Sequence, residues 1–132
     1  MKRPLIIGSA VTLLLAVGIF ALDAYERAQV AQFYEAHPML GMMDRFPSTE
    51  DPRRIDILLE RLPVGSTRTD TIRFLADEGM VCSSVVSSSR KGLVCGVKDP
   101  EPRNLIPMWH IEVHFDENDK VSGGRVLKLK AG

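Results

Sequence analysis

The chain has 132 residues, with 17 basic and 17 acidic side chains and a formal net charge of zero. This length fits one domain, and the balanced charge argues against nucleic-acid binding, which needs a basic surface. The two cysteines, Cys82 and Cys95, suggest one disulfide in an exported domain.

The first predicted element is a membrane-spanning helix. Residues 4–22 carry no charged side chain, and at about 1.5 Å per residue they reach roughly 28 Å, close to the hydrocarbon thickness of a bilayer. The basic residues Lys2 and Arg3 precede this run, which predicts a single-pass inner-membrane protein with a cytoplasmic N-terminus and a periplasmic C-terminal domain. A cleaved signal peptide ending at the small residues 16–18 is the alternative. Residues 1–22 are thus assigned to a membrane anchor or an uncleaved signal.

Residues 23–50 are predicted to form a connecting helix and a methionine-rich tether. The spacing of Val30, Phe33 and Tyr34 indicates that the helix continues past the anchor, and His37-Pro38 predicts its end. The apolar residues that follow either pack on the domain's own core or the membrane surface, or form a docking surface for a partner protein, since flexible methionines suit adaptable contacts. The predicted partner-binding residues are Phe33, Tyr34, Met39, Leu40, Met42 and Met43.

Residues 51–132 begin with two predicted helices. Asp51-Pro52 predicts the first, with an acidic N-cap followed by a proline. Its apolar residues recur at helical spacing, and Arg54 is predicted to lie on the opposite, polar face. Ser66 or Thr67 is predicted as the N-cap of the second helix, with Asp70 at the third helical position if Thr67 is the cap, and Gly79 predicts the end of the helix. The predicted buried stripes are Ile55, Leu58, Leu59 and Leu62 in the first helix, and Ile72, Leu75 and Ala76 in the second.

Four strands are predicted after the helices, over residues 80–86, 92–97, 108–115 and 121–129. In the third strand, strict alternation predicts two faces. Gly123-Gly124 predicts a bulge in the fourth. Helices followed by adjacent strands predict an α+β fold with two helices packed on a four-stranded antiparallel sheet. The two faces of the third strand are Trp109, Ile111, Val113 and Phe115 on one side, and Met108, His110, Glu112 and His114 on the other.

The cysteines fall on the first two strands. If the hairpin turns between Ser88 and Ser89, Cys82 and Cys95 lie directly opposite each other, which predicts a disulfide. A catalytic cysteine is the alternative, but the sequence places no dedicated base beside either thiol.

The sequence predicts no catalytic, cofactor-binding or metal-ligating residues. His110, Glu112 and His114 have the composition of a metal site, but alternate strand residues are about 6.8 Å apart, so one ion does not easily reach both histidines. We expect this face to meet solvent or a partner.

One family resemblance emerges from the helix pair and the closing strands. Leu62-Pro63-Val64-Gly65-Ser66-Thr67, with Ile72, Leu75 and Gly79 after it, resembles the helical opening of the BamE-like (SmpA/OmlA) envelope domains. Trp109, Ile111 and Val113, then Phe115-Asp116 and Lys120-Val121, resemble the closing strands of that group. The resemblance covers about residues 54–129. It implies two helices on an antiparallel sheet, as in the β-lactamase-inhibitor-protein fold, and a non-catalytic protein that binds other proteins. This chain departs from the group in lacking a lipidation cysteine and in having the Cys82–Cys95 pair.

The expected function is therefore that of a non-catalytic, membrane-anchored envelope protein that binds other proteins as an accessory or assembly subunit. The expected partners are an envelope or inner-membrane protein complex and membrane lipid through the N-terminal helix, with no nucleic acid and no cofactor. A secreted or anchored inhibitor of an envelope enzyme is one alternative. A small metal-dependent enzyme is another.

Overall fold

A computed structural model describes residues 3–87 and 90–131, with side chains from residue 11 onward. The strands form one antiparallel sheet in the order β1-β2-β3-β4. The α+β architecture with four antiparallel strands is thus confirmed, while the predicted turn between Ser88 and Ser89 lies outside the described residues. In chain order the elements are α1 Arg3–Ala36, α2 Pro38–Met43, α3 Pro52–Arg61, α4 Arg68–Asp77, β1 Met80–Val86, β2 Lys91–Val97, β3 Met108–Phe115 and β4 Val121–Leu129.

The predicted membrane anchor is wrong. Among the residues that the structure describes, no helix is long and apolar enough to cross a membrane. A membrane span needs about 20 consecutive, predominantly apolar residues to cross a hydrocarbon core of about 30 Å. The prediction of a single-pass inner-membrane protein with a cytoplasmic N-terminus and a periplasmic domain depended on this helix and is therefore wrong as well.

The caps of α3 and α4 follow the predicted chemistry. Asp51 accepts a hydrogen bond from the Arg53 backbone N–H at 3.0 Å, and Thr67 Oγ1 accepts one from the Asp70 N–H at 3.1 Å. Each bond satisfies a donor that the first helical turn leaves without a partner. Gly79 follows α4 with a φ of 77°, and a Cβ there would lie 2.7 Å from His37 Nε2. The positive φ therefore favours glycine at this position, and a side chain there would have to displace the His37 ring.

One face of the sheet carries the core. Helix α3 packs against β4, and α4 packs against β1. The four residues of β3 predicted to share a face are all buried, as the alternation indicated. The helix stripes need correction, because Arg54 joins Leu58 and Leu62 on the buried side of α3, while Ile72 of α4 is 43% exposed. Leu59 is only partly buried.

The methionine-rich segment belongs to this core. Met39, Leu40 and Met43 are completely buried, and Phe33 is 7% exposed. Helix α2 packs against both α1 and α3. The segment assigned to a tether over residues 23–50 therefore folds, at its C-terminal end, as part of the domain.

Arg54 organises the connection between α2 and α3. Its side chain is completely buried, and its Nε donates to the Met43 carbonyl at 3.1 Å. The other guanidinium nitrogens donate to the carbonyls of Phe46, Ser48 and Thr49. Burial lowers the pKa of the guanidinium below its ordinary value, yet each of its three nitrogens donates to at least one carbonyl, and these bonds stabilise the buried charge.

The predicted disulfide is confirmed. Cys82 and Cys95 are register partners in the β1–β2 hairpin, and their sulfur atoms are bonded at 2.05 Å. Their Cα atoms are 4.1 Å apart, the short spacing that marks a non-hydrogen-bonded pair of an antiparallel ladder. The bond thus ties the edge strand β1 to β2, its neighbour in the sheet.

Candidate functional site

The face of the sheet opposite the helices, hereafter the outer face, is the candidate site. Its four most exposed apolar side chains are between 37% and 56% accessible, so this face lies open among the described residues. They occupy both edge strands and the start of β3. The outer face comprises Val81, Ser83 and Val85 of β1, Gly92, Val94 and Gly96 of β2, Met108, His110, Glu112 and His114 of β3, and Gly123, Arg125, Leu127 and Leu129 of β4.

A polar row runs along the middle of the outer face. His110 Nε2 lies 3.3 Å from Glu112 Oε1, and His114 Nε2 lies 3.7 Å from Glu112 Oε2. One carboxylate therefore stands between two imidazoles, each about one-third exposed. The row offers hydrogen-bond donors and acceptors to whatever covers the face.

Glycines leave open space beside this row. His114 pairs with Gly92 on one side and Gly123 on the other. A shallow hollow of about 60 Å³ forms there, lined by Val85, Gly92, Glu112 and His114 among others. A Cβ on Gly92 would lie 2.6 Å from the Val113 carbonyl oxygen, so the close approach of β2 and β3 excludes any larger residue. The hollow is consequently fixed by the backbone.

A charged pair closes the β4 side of the outer face. Arg125 lies opposite Glu112, but its guanidinium donates to both oxygens of Glu50, at 2.8 and 3.1 Å. This hydrogen bonding holds the pKa of the Glu50 carboxyl below its ordinary value. Glu50 also bridges to Leu127 of β4, so the segment before α3 covers part of that edge.

The sequence-predicted partner residues lie elsewhere, on the helical side. Phe33, Met39, Leu40 and Met43 are buried, which favours the alternative that they pack on the domain's own core. Tyr34 and Met42 are partly exposed. Burial and the neighbouring Asp44 carboxylate raise the pKa of Tyr34 above its usual range. Arg61 Nη2 lies 2.8 Å from the Met42 sulfur. Partner binding by these six residues stays a prediction.

Among the residues that the structure describes, no group of three or more His, Cys, Asp or Glu side chains is placed to hold a metal ion. A cleft of about 320 Å³ lies where the 98–107 connection meets the sheet, lined by Val97, Pro100, Arg103, Ile106 and Trp109 among others. Arg103, which lines this cleft, is paired with Asp99 at 4.0 Å.

The outer face was only partly visible in the sequence. The alternation of β3 identified Met108, His110, Glu112 and His114 as one face. The contribution of Arg125 and Glu50 was missed, because Glu50 reaches the sheet through an isolated bridge. The glycines of β2 and β4 were the available signal, since glycine inside a strand marks a close approach of another backbone.

Comparison of the chain with protein-family models, with curated proteins and with solved structures gives no match.

Proposed function

We propose that this chain is a non-catalytic protein-binding module, an accessory or assembly subunit whose outer face receives a partner protein. The observation that carries the proposal is the open, mixed apolar and polar surface of the sheet. Val81, Val85, Met108 and Leu129 are exposed on it. Exposed apolar side chains grouped with polar ones on one open surface mark a candidate site for binding another protein.

The arrangement of these groups suits a broad partner better than a small ligand. Met108 and Leu129 are register partners at one end of the face, whereas Val85 lies beside the hollow at the other. The polar row of His110, Glu112 and His114 lies between them. An occupant that contacts both ends must cover the length of β3, which a folded surface or a long peptide does.

The resemblance to BamE-like domains adds to this proposal, since that group consists of non-catalytic proteins that bind other proteins. An exposed sheet face rich in aromatic residues would favour the alternative of an enzyme inhibitor. The aromatic residues of β3, Trp109 and Phe115, are both buried in the core, so this alternative has less support.

The proposal is tested by photo-crosslinking in living cells. A photoreactive amino acid is placed at Met108, on the outer face, and in a matched strain at Val64, which is 66% exposed in the turn between α3 and α4. We expect a discrete adduct of this chain with a different protein from position 108 and not from position 64. The partner is then purified, and its affinity is measured for variants of the chain.

In that measurement, Met108→Asp combined with Leu129→Asp should weaken binding by about tenfold or more, because a desolvated carboxylate replaces apolar contact. Val64→Asp should leave the affinity unchanged. Equal adducts from both positions, an adduct containing only copies of this chain, or a double variant that binds as tightly as the wild type would contradict the proposal.

A further inference from the structure

The two edge strands of the sheet, β4 and β1, differ in how far they are protected from pairing with another strand. At the β4 edge, the Lys128 N–H donates to the Thr49 carbonyl at 2.9 Å, and Glu50 bridges to Leu127. Charged residues follow along that strand at Arg125 and Lys128. At the other edge, β1 reads MVCSSVV, with no charge and no proline. Natural proteins protect an edge strand with charge, proline, a bulge or a covering segment. Strand β1 itself has no charge, proline or bulge among the described residues, and the one charged side chain that reaches it in the hydrogen bonds of the described residues is Arg68 of α4, which donates to the side chain of Ser84 at 3.2 Å and leaves the backbone of β1 uncovered.

The register shows which backbone groups β1 leaves for another strand. Because Cys82 and Cys95 form a non-hydrogen-bonded pair, Val81, Ser83 and Val85 direct their N–H and C=O groups towards β2. The turn agrees, since the Ser87 N–H donates to the Arg90 carbonyl at 2.9 Å. The N–H and C=O groups of the even-numbered residues 80–86 therefore point away from the sheet, in a straight row.

We propose that β1 pairs with β1 of a second copy of this chain, antiparallel and centred on Ser83, to make a continuous eight-stranded sheet. In this register Cys82 faces Ser84 of the other copy and Met80 faces Val86. All four are even-numbered residues, so each pair exchanges two backbone hydrogen bonds of the narrow type. The row of free backbone groups is thus satisfied by its own copy without any shift in register.

The side chains of β1 are self-complementary in the same register. On the outer face Val81 meets Val85 of the other copy, and Ser83 meets Ser83. Pairs of β-branched residues and of hydroxyl residues are both favourable across antiparallel strands. On the inner face, Met80 meets Val86, which is 75% exposed in the single chain. A strand whose pattern repeats about its own centre fits a second copy better than an unrelated strand, and the inference does not depend on the proposed function.

The test measures the mass of the purified chain by sedimentation over a wide range of concentration. We expect a shift from 14.7 kDa towards twice that mass. Ser83 is exposed, so Ser83→Lys and Ser83→Glu should melt like the wild type. Each should raise the dimer dissociation constant by about fivefold or more, because like charges then lie directly opposite. Mixing the two variants should restore the dimer. Ser122→Lys, the same change at an exposed serine of β4, should dimerise like the wild type.

Three results would overturn the proposal. The first is a wild-type chain that stays at 14.7 kDa throughout. The second is association that persists equally in Ser83→Lys, which would place the contact elsewhere, such as at Leu14 and Phe20 of α1, which are 71% and 80% exposed. The third is a mixture of the Lys and Glu variants that associates no better than either alone, since only a register centred on Ser83 brings the two side chains together.

Discussion

Arg54 lies four residues before Leu58 and eight before Leu62, on the buried side of α3. Its guanidinium donates to the carbonyls of Met43, Phe46, Ser48 and Thr49. Arg54 was predicted to lie on the polar face of the helix, and the structure corrects that prediction. The carbonyls that make the burial of Arg54 possible come from an irregular segment. No sequence pattern predicts where such carbonyls converge.

We expect Arg54→Met to lower the free energy of unfolding by about 3 kcal/mol or more, because buried carbonyls lose their donors while the volume is kept. Chemical denaturation followed by circular dichroism measures the loss. Arg73→Met is the matched control, since the Arg73 side chain is 69% exposed, and we expect a change within about 0.5 kcal/mol. Equal losses for the two variants would show that the contacts of Arg54 do not stabilise the fold.

At the scale of elements, the strands were predicted almost to the residue, because alternation, turn residues and the cysteine pair all agreed. Only the start of β2 moved, from residue 92 to Lys91. Helices α3 and α4 were located correctly by their caps, but their predicted buried faces were off by one position, and the short helix α2 was predicted as part of a tether. In α3 the buried leucine is Leu58, while Leu59 is partly exposed. The apolar stripe of α3 is wider than the surface that this helix buries against the sheet. The stripe alone therefore does not determine which of two neighbouring leucines faces the sheet.

The corrected orientation of α3 gives a paired prediction. Leu58→Ala should cost about 2–5 kcal/mol, as for a fully buried leucine that leaves a cavity beside β4. Leu59→Ala should cost less, because its side chain already meets solvent. The two unfolding curves, measured together, decide the matter, and an equal or larger loss for Leu59→Ala would return α3 to the orientation that the sequence suggested.

At the scale of the whole molecule, the sequence predicted a domain held apart from a membrane by a tether, and the structure shows something different. Met39, Leu40 and Met43 complete the core, since a small domain with two short helices on its sheet gains from additional apolar side chains. The membrane prediction failed because it counted uncharged residues, whereas no described helix meets the length and apolarity needed to span a bilayer. The outer face could be located from β3, but not its partners.

The disulfide should stabilise the whole domain, because it closes the β1–β2 hairpin across a sequence separation of 13. Reduction of the wild type should lower the free energy of unfolding by about 2–5 kcal/mol. Cys82→Ser should be similarly destabilised and should no longer respond to reductant. Unchanged melting on complete reduction, verified by thiol counting, would mean that the ladder alone holds β1 in place.

Backbone carbonyls of the segment between α2 and α3 surround a cation that belongs to the protein itself. Elsewhere, loops that turn several backbone carbonyls inwards are held by a calcium ion, which departs when its concentration falls. The guanidinium of Arg54 is bound covalently to a helix, so no change in ionic supply releases it. We therefore expect this segment to unfold together with α3 and to be as stable as that helix.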